Sequence, residues 1–140
     1  MALLEKKLLV KRSTLPKAGK GLFTTVDIPK GTRIVEYKGK KRKWKEITED
    51  PAFNGYVYFF NREHVIDAKN TPQHLARYAN DAKGLSNKDG LKNNSNYDED
   101  GNKVYIKAMK AIPAGSEIFV GYGKEYWDSI KENIENNIKM

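Results

Sequence analysis

The side chains of this chain that can do chemistry are mostly tyrosines, because common nucleophiles and metal ligands are scarce. Cysteine is absent and histidine occurs twice, as His64 and His74. These counts exclude thiol nucleophiles and thiolate zinc sites, and no metal site is expected. Among the eight tyrosines, three stand at the ends of strand-like runs, namely Tyr37, Tyr97 and Tyr122. The tyrosines are therefore the first candidates for a functional site.

The common nucleotide and hydrolase motifs are missing. The stretch "AGKGLF" lacks the third glycine of a dinucleotide fingerprint and the Lys-Ser/Thr end of a P-loop. No Gly-x-Ser-x-Gly occurs, and both histidines are interpreted as ordinary side chains. The acidic run Asp98 to Asp100 is expected in a loop, where it would solvate the tip of a hairpin.

Length and charge limit the classes of protein to which this chain can belong. A chain of 140 residues with 39% hydrophobic residues can build one core, and no apolar run approaches the roughly 18 residues of a membrane span. The charged start "MALLEKKLLVKRS" is untypical of a signal peptide, so a cytoplasmic or nuclear location is expected. The net charge is +8, and its densest run, residues 38–45, is interpreted as a solvated loop. Charge alone selects no partner.

Short β-rich runs dominate the elements that must position these residues. Examples are "RIVEYKG", "YVYFF", "KVYIKAM" and "EIFVGY", bounded by turn residues. Two proline–glycine turns, "IPKG" and "IPAG", each precede a strand, and residues 82–103 form a long polar loop. A helix is predicted over residues 124–140. The fold class expected is β-rich α+β, as one domain over residues 1–140.

Four blocks in order resemble the SET domain, the fold of protein-lysine methyltransferases. The segment "AGKGLFTTVDIPKGTRIVEYKG" is similar to its G-x-G-[LV]-[FY], I-x-x-G and E-Y-x-G blocks, and "VIDA" to its short I-D-A strand. "ARYAND" resembles R-[FY]-x-N-H, and "IKAMKAIPAGSEIFVGYG" resembles the closing block that ends in tyrosine. The resemblance runs from about Leu15 to Trp127. It implies a β-clip-like fold of small sheets, with a core at about 10–123 and a C-terminal pseudoknot.

The same resemblance implies methyl transfer from S-adenosylmethionine to a lysine ε-amine of a protein, with histone tails among the candidate substrates. Tyr122 matches the catalytic tyrosine, which orients the amine, while Tyr37 and Tyr97 match aromatic walls of the lysine channel. An insert at roughly residues 40–56 would hold the substrate as an extended strand, and its basic character would suit an acidic peptide.

The resemblance also implies a set of cofactor-binding residues. They are Lys20, Gly21, Leu22, Arg77, Tyr78, Asn80, Asp81 and Trp127. Asp81 stands where the family has histidine, so its backbone rather than an imidazole ring is expected to face the adenine. The "ARYAND" segment is interpreted as a strand that meets the "VGYG" segment in the pseudoknot. Trp127, on the terminal helix, would cover the adenine in place of the cysteine-rich zinc segment of other members.

Two other functions fit the sequence. Asp81, and Gly121 in place of the usual acid before the tyrosine, would suit a SET-type binding module without activity. A small basic β protein that binds nucleic acid is a further alternative, and it predicts affinity that falls steeply with salt. The dispersed lysines and the core-like alternation of the aromatics weigh against nucleic acid. The oligomeric state and the substrate are left open.

Overall fold

A computed structural model describes residues 3–16, 18–49, 56–82 and 90–121 of the chain. Its strands are β1 (Leu8–Arg12), β2 (Lys20–Thr24), β3 (Arg33–Glu36), β4 (Lys40–Arg42), β5 (Val57–Asn61), β6 (His64–Asp67), β7 (Ser95–Asp100), β8 (Lys103–Ala108) and β9 (Glu117–Ile118). A short α-helix, α1, spans Trp44–Thr48, and 3₁₀ helices span Glu5–Lys7 and Leu75–Tyr78. The strands pair antiparallel into three sheets, ordered β1-β2-β9, β3-β8-β7 and β4-β6-β5.

Alternation of apolar and polar residues explains the longest hairpin. In β8 the side chains of Val104, Ile106 and Ala108 are buried, and the residues between them are more exposed. A two-residue turn joins β7 to β8, and Gly101 adopts a φ of 63° there, a conformation that glycine allows at no steric cost. This hairpin supplies two of the three strands of the second sheet.

All three sheets contribute to one core. Its buried members include Leu22 and Ile118 from the first sheet, Ile34 and Ile106 from the second, and Ile66 from the third. A core shared in this way fixes the sheets relative to one another, because close-packed interiors tolerate little displacement. The expected β-rich class of small sheets is confirmed.

The two proline–glycine turns pair with each other. Ile28 and Ile112 exchange both backbone hydrogen bonds, each 2.8 Å long, as an isolated antiparallel bridge. Gly31 and Gly115 follow with φ of 89° and 86°, which favours glycine. Both turns precede a strand, as the sequence predicts.

A glycine allows two of the motif blocks to pack closely against each other. Gly39, which ends "EYKG", lies against the backbone of "VIDA", where an added Cβ would sit 2.5 Å from the Asp67 carbonyl oxygen. Since backbone atoms cannot rotate away, this contact requires glycine. The need is structural and exists without any ligand.

Three local predictions were wrong. Leu75–Tyr78, expected as the start of a strand, is a 3₁₀ helix closed by a hydrogen bond from the Ala79 N–H to the Ala76 carbonyl. The basic run is not a plain loop, because it forms edge strand β4 and the start of α1.

The third error concerns the polar stretch of residues 82–103, which contains strand β7. The acidic run therefore lies in a strand beside the hairpin turn. Arg33 pairs there with Asp98 at 2.9 Å and with Asp100 at 3.1 Å. Asp98 thus has a protein partner, while Asp100, which is 62% exposed, also remains in contact with solvent.

The helix predicted over residues 124–140 lies outside the described residues. Within the described ranges, no helix has the length and apolar character to cross a membrane.

Candidate active site

Two segments that are far apart in the sequence lie side by side and run parallel, and we call the place where they meet the crossing. We call residues 79–82 the Asn80 segment and residues 117–121 the closing segment. Asn80 forms a parallel bridge with Phe119, and the Val120 N–H donates to the Asn80 carbonyl at 2.9 Å. Ser95, the first residue of β7, forms a second parallel bridge with Val120. The sequence predicted that these segments meet, and the structure brings them together.

The glycine turn that starts β2 lies at the same crossing. The Asn80 side-chain amide donates to the Lys20 carbonyl at 2.9 Å, and Leu22 pairs with Ile118 across the sheet. Gly19 adopts a φ of 73°, with no atom within 4 Å of an added Cβ. Lys20, Leu22 and Asn80, three of the predicted cofactor residues, are therefore neighbours.

Gly21 in the same turn accommodates a buried carboxylate. A Cβ at this position would overlap the carboxylate of Glu117 and lie 3.2 Å from Ser13 Cα. Glu117 is buried and accepts hydrogen bonds from Ser13 Oγ at 2.7 Å, Thr14 N at 2.8 Å and Thr14 Oγ1 at 2.7 Å. The absence of a side chain at Gly21 thus serves protein packing.

Asp81 also points into the protein. It is 6% exposed, and its carboxylate accepts a hydrogen bond of 2.9 Å from the side-chain amide of Asn93. The Oδ1 atom of Asn93 accepts a hydrogen bond of 2.8 Å from the Ala82 N–H. The carboxylate that stands in for the family's histidine therefore takes part in a hydrogen-bond network.

Arg77 and Tyr78 are close to each other on the 3₁₀ helix. The Arg77 guanidinium donates to the carbonyls of Ala68 and Lys69, at 2.7 and 2.8 Å, and lies over the rings of Tyr56 and Tyr78. Its Nε is buried and has no hydrogen-bond partner among the described residues. Because the Nε is enclosed by protein atoms, the Arg77 guanidinium is directed into the protein and not toward an open ligand site.

The two predicted channel tyrosines are in contact. The rings of Tyr37 and Tyr97 meet edge to face, with centroids 6.1 Å apart and planes at 80°. Tyr37 is buried at the end of β3, and Tyr97 is the third residue of β7. Because β7 begins at Ser95, one strand connects the crossing of the two segments to this aromatic pair.

A third tyrosine, which the sequence analysis did not single out, completes an aromatic cluster. The Tyr58 ring centroid lies 4.9 Å from that of Tyr97, 6.2 Å from that of Tyr37 and 5.0 Å from that of Phe60. We use "aromatic cluster" for Tyr37, Tyr58, Phe60 and Tyr97. The available signal was the spacing of Tyr58 and Phe60 in "YVYFF", which places them on one face of a strand.

The Tyr58 phenol has a charged partner. It donates a hydrogen bond of 2.7 Å to the carboxylate of Glu99. Burial, and then the hydrogen bond to Glu99, raise the pKa of Tyr58 well above its ordinary value. This phenol therefore remains protonated and cannot act as a base near neutral pH.

Some of the basic side chains of the insert have acidic partners, and the shortest of these contacts involve Arg42. Arg42 pairs with Asp67 at 2.8 Å and Glu46 at 3.3 Å, and these contacts, Asp67 first, raise the pKa of Arg42. Lys43 pairs with Glu63, and Lys45 with Glu49. This pairing leaves less positive charge for an acidic peptide than the sequence alone indicates.

Two predicted site residues, Tyr122 and Trp127, lie outside the described residues, which reach Gly121. In the described ranges, no group of three or more His, Asp or Glu side chains is arranged to hold a metal ion.

Comparison with known proteins identifies the fold. The SET domain family model matches residues 19–123. The N-lysine methyltransferase KMT5A-B of Xenopus laevis is 29% identical over 123 residues, which cover 81% of this chain and 35% of that protein. The histone-lysine N-methyltransferase set-1 of Caenorhabditis elegans is 26% identical, over 82% of this chain and 50% of that protein. The chain thus spans half or less of the length of these curated relatives.

A solved structure similar to this chain is also a methyltransferase domain. The methyltransferase domain of human PR domain-containing protein 2 superposes with a TM-score of 0.61 and 27% identity, covering 84% of this chain and 77% of that one. The family match spans most of the chain and includes the crossing and the aromatic cluster. The chain belongs to the SET domain family.

Proposed function

We propose that the chain is an S-adenosylmethionine-dependent protein-lysine methyltransferase, with histone tails as the first substrates to test. The observation that carries this proposal is the hydrogen-bonded crossing of the Asn80 segment and the closing segment. The glycine turn that starts β2 lies beside this crossing, and strand β7 connects it to the Tyr37–Tyr97 pair. The resemblance to the family implies that this crossing lies between the cofactor and the substrate lysine.

The residues at the crossing have suitable chemistry for the methionine end of the cofactor. The side-chain oxygen of Asn80 can accept from its ammonium group, since the amide nitrogen is already directed at the Lys20 carbonyl. The Lys20 side chain is a donor suited to its carboxylate. Arg77 supports the site from the side, because its guanidinium is held by the carbonyls of Ala68 and Lys69. When bound, S-adenosylmethionine supplies an electrophilic methyl group on a sulfonium.

Side chains of this chain would bind the substrate lysine and orient its amine. Tyr37 and Tyr97 present aromatic faces and edges to the aliphatic stem of the lysine, and such rings also tolerate a methylated cation. A narrow apolar channel disfavours the ammonium form, so it lowers the pKa of the substrate lysine and releases its proton. Tyr122 orients the neutral amine, and positioning of this kind accounts for much of the rate of a bimolecular transfer.

The test uses labelled S-adenosylmethionine with a panel of histones and peptides. We expect methyl incorporation by the wild-type protein and a loss of about 10²-fold or more in Tyr122→Phe, since one preorganised group is removed. Tyr105→Phe is the matched control, because it removes a phenol from β8 outside the aromatic cluster. Equal activity of Tyr122→Phe and Tyr105→Phe would reject the role of Tyr122.

A binding module without activity is the second candidate. The Asp81 carboxylate favours it, since this group is buried against Asn93 and cannot replace a stacked imidazole ring. Cofactor binding by the wild-type protein without transfer to any substrate would select this module. Binding to nucleic acid that weakens steeply with salt, without cofactor binding, would select the basic β protein instead.

A further inference from the structure

The side chain of Asn94 holds the closing segment as a neighbouring strand would. Its Oδ1 accepts from the Phe119 N–H at 3.0 Å and from Ser95 Oγ at 3.1 Å, while its Nδ2 donates to the Glu117 carbonyl at 2.9 Å. The Asn94 N–H also donates to the Phe119 carbonyl at 3.1 Å. One residue thus satisfies backbone groups at two positions of the closing segment.

The preceding residue holds the other segment. Asn93 accepts from the Ala82 N–H and donates to the Asp81 carboxylate, as described above. Its amide nitrogen is also the nearest neighbour of Gly121, 3.4 Å from the position of an added Cβ. Two consecutive asparagines therefore bind the two segments that cross.

We propose that Asn93 and Asn94 form a clamp that fixes the register of the closing segment against the Asn80 segment, with Asn94 as a positioning residue for the proposed methyl transfer. The role in catalysis rests on the proposed function. The clamp itself is a claim about the fold, and it can be tested without activity.

The chemistry of the amide explains why asparagine suits Asn94. A carboxamide carries a donor and an acceptor in one plane, as a peptide group does, so it can bond a carbonyl and an N–H of the same strand. Aspartate offers only acceptors when ionised, and serine is too short to reach both partners. Loss of the Nδ2 donor leaves the Glu117 carbonyl without this partner in a largely buried place.

The consequence for catalysis follows from chain connectivity. Tyr122 is three residues after Phe119 in the sequence, so the clamp sets the path of the backbone that leads into it. Misplacement of a reacting group by about 1 Å can cost about 10²-fold in rate. A loosened clamp is therefore expected to lower kcat more than it raises KM.

The experiment compares Asn94→Asp with Asn96→Asp. Asn96 is the matched control because it is an exposed asparagine two residues along, in the same hairpin strand. Hydrogen exchange of peptides covering residues 117–121 is measured first, together with the melting temperature. We expect faster exchange in Asn94→Asp only, with the fold retained.

Kinetics provide the second measurement. At about pH 9 we expect kcat of Asn94→Asp to fall by roughly 10²-fold, with KM values for cofactor and peptide within a few-fold of wild type. Both constants are measured on folded protein well below the melting temperature of the variant. A fall in kcat with nearly unchanged KM values then reports positioning, since a role in general stability alone would not produce that split.

The outcomes separate the two proposals. Unchanged exchange of residues 117–121 in Asn94→Asp overturns the clamp, whether or not the wild-type protein is active. If the wild-type protein transfers no methyl group, the proposed function fails, and the exchange result still decides the clamp. If Asn94→Asp does not fold, Asn94→Ser is measured in its place, and failure of both to fold overturns the positioning role in favour of a folding requirement.

Discussion

The crossing of the two segments and the aromatic cluster are built by different physical means. At the crossing, backbone groups and the side chains of Asn80, Asn94 and Glu117 are joined by directional hydrogen bonds of 2.7–3.0 Å. In the aromatic cluster, by contrast, rings meet at centroid distances of 4.9–6.2 Å with tilts from 47° to 80°. The first arrangement depends on the identity of single atoms, and the second on shape and volume.

This difference indicates how each region responds to change. A hydrogen-bonded crossing loses a whole interaction when one donor or acceptor is removed, and the buried partner that remains is costly. A packed cluster of rings can adjust, and a change that conserves volume is usually tolerated. The crossing is thus suited to fixing the backbone, and the aromatic cluster to adapting its shape around a substrate.

The largest effect is expected from Glu117→Ala. This change removes the acceptor of Ser13 Oγ, which is buried, and of Thr14 N and Thr14 Oγ1, which are partly buried. Because hydrogen bonds to a charged group contribute more than neutral ones, we expect a loss of about 3 kcal/mol or more in the free energy of unfolding. Urea denaturation monitored by circular dichroism measures it.

Glu63→Ala is the control for that change. Its side chain is 79% exposed and contacts Lys43 at 3.7 Å, so its removal should leave the free energy of unfolding nearly unchanged. Similar losses for Glu117→Ala and Glu63→Ala would show that the buried carboxylate does not support the crossing.

A smaller effect is expected from Gly21→Ala. The added Cβ overlaps the Glu117 carboxylate and approaches Ser13 Cα, and overpacking of this kind costs about 2 kcal/mol. Since the main clash is with Glu117, the same substitution should cost less in a Glu117→Ala background, with a coupling of roughly 1 kcal/mol. A double-mutant cycle measures this coupling. Strict additivity would mean that Gly21 is required for a reason other than this carboxylate.

The sequence predicts the fold well where a pattern is local. The alternation in "KVYIKA" and the two proline–glycine turns predict β8 and the approaches to β3 and β9. Strand β7 was missed because Ser95–Asp100 is polar and lacks an apolar alternation, although its backbone pairs with the adjacent β8. The contact between Arg33 and Asp98, 65 residues apart, could not be predicted from local spacing. Leu75–Tyr78 was assigned wrongly because a short run with one buried alanine has no clear period.

The candidate site was predicted to a similar extent. The resemblance placed Asn80, Lys20, Tyr37 and Tyr97 in two groups that the structure does bring together. It gave no indication that Gly21 accommodates Glu117, or that Asp81 binds Asn93, because those contacts join residues 96 and 12 positions apart in the chain. Such pairings depend on tertiary packing, which spacing in a single sequence does not encode.

The smallest effect is expected in the aromatic cluster, from Tyr58→Phe. This change keeps the ring and removes the hydrogen bond to Glu99, so the loss near neutral pH should be about 1 kcal/mol or less for a partly exposed pair. The pKa of Tyr58 is raised in the folded protein, so its contribution to stability is complete below about pH 10, the ordinary pKa of tyrosine, and is lost as the pH rises above that value. Urea denaturation at about pH 8 and about pH 11 should therefore show a steeper alkaline loss for wild type and the control Tyr105→Phe than for Tyr58→Phe. If all three proteins lose stability equally, neither burial nor the Glu99 contact raises the pKa of Tyr58 in the folded protein, and this hydrogen bond does not stabilise the aromatic cluster.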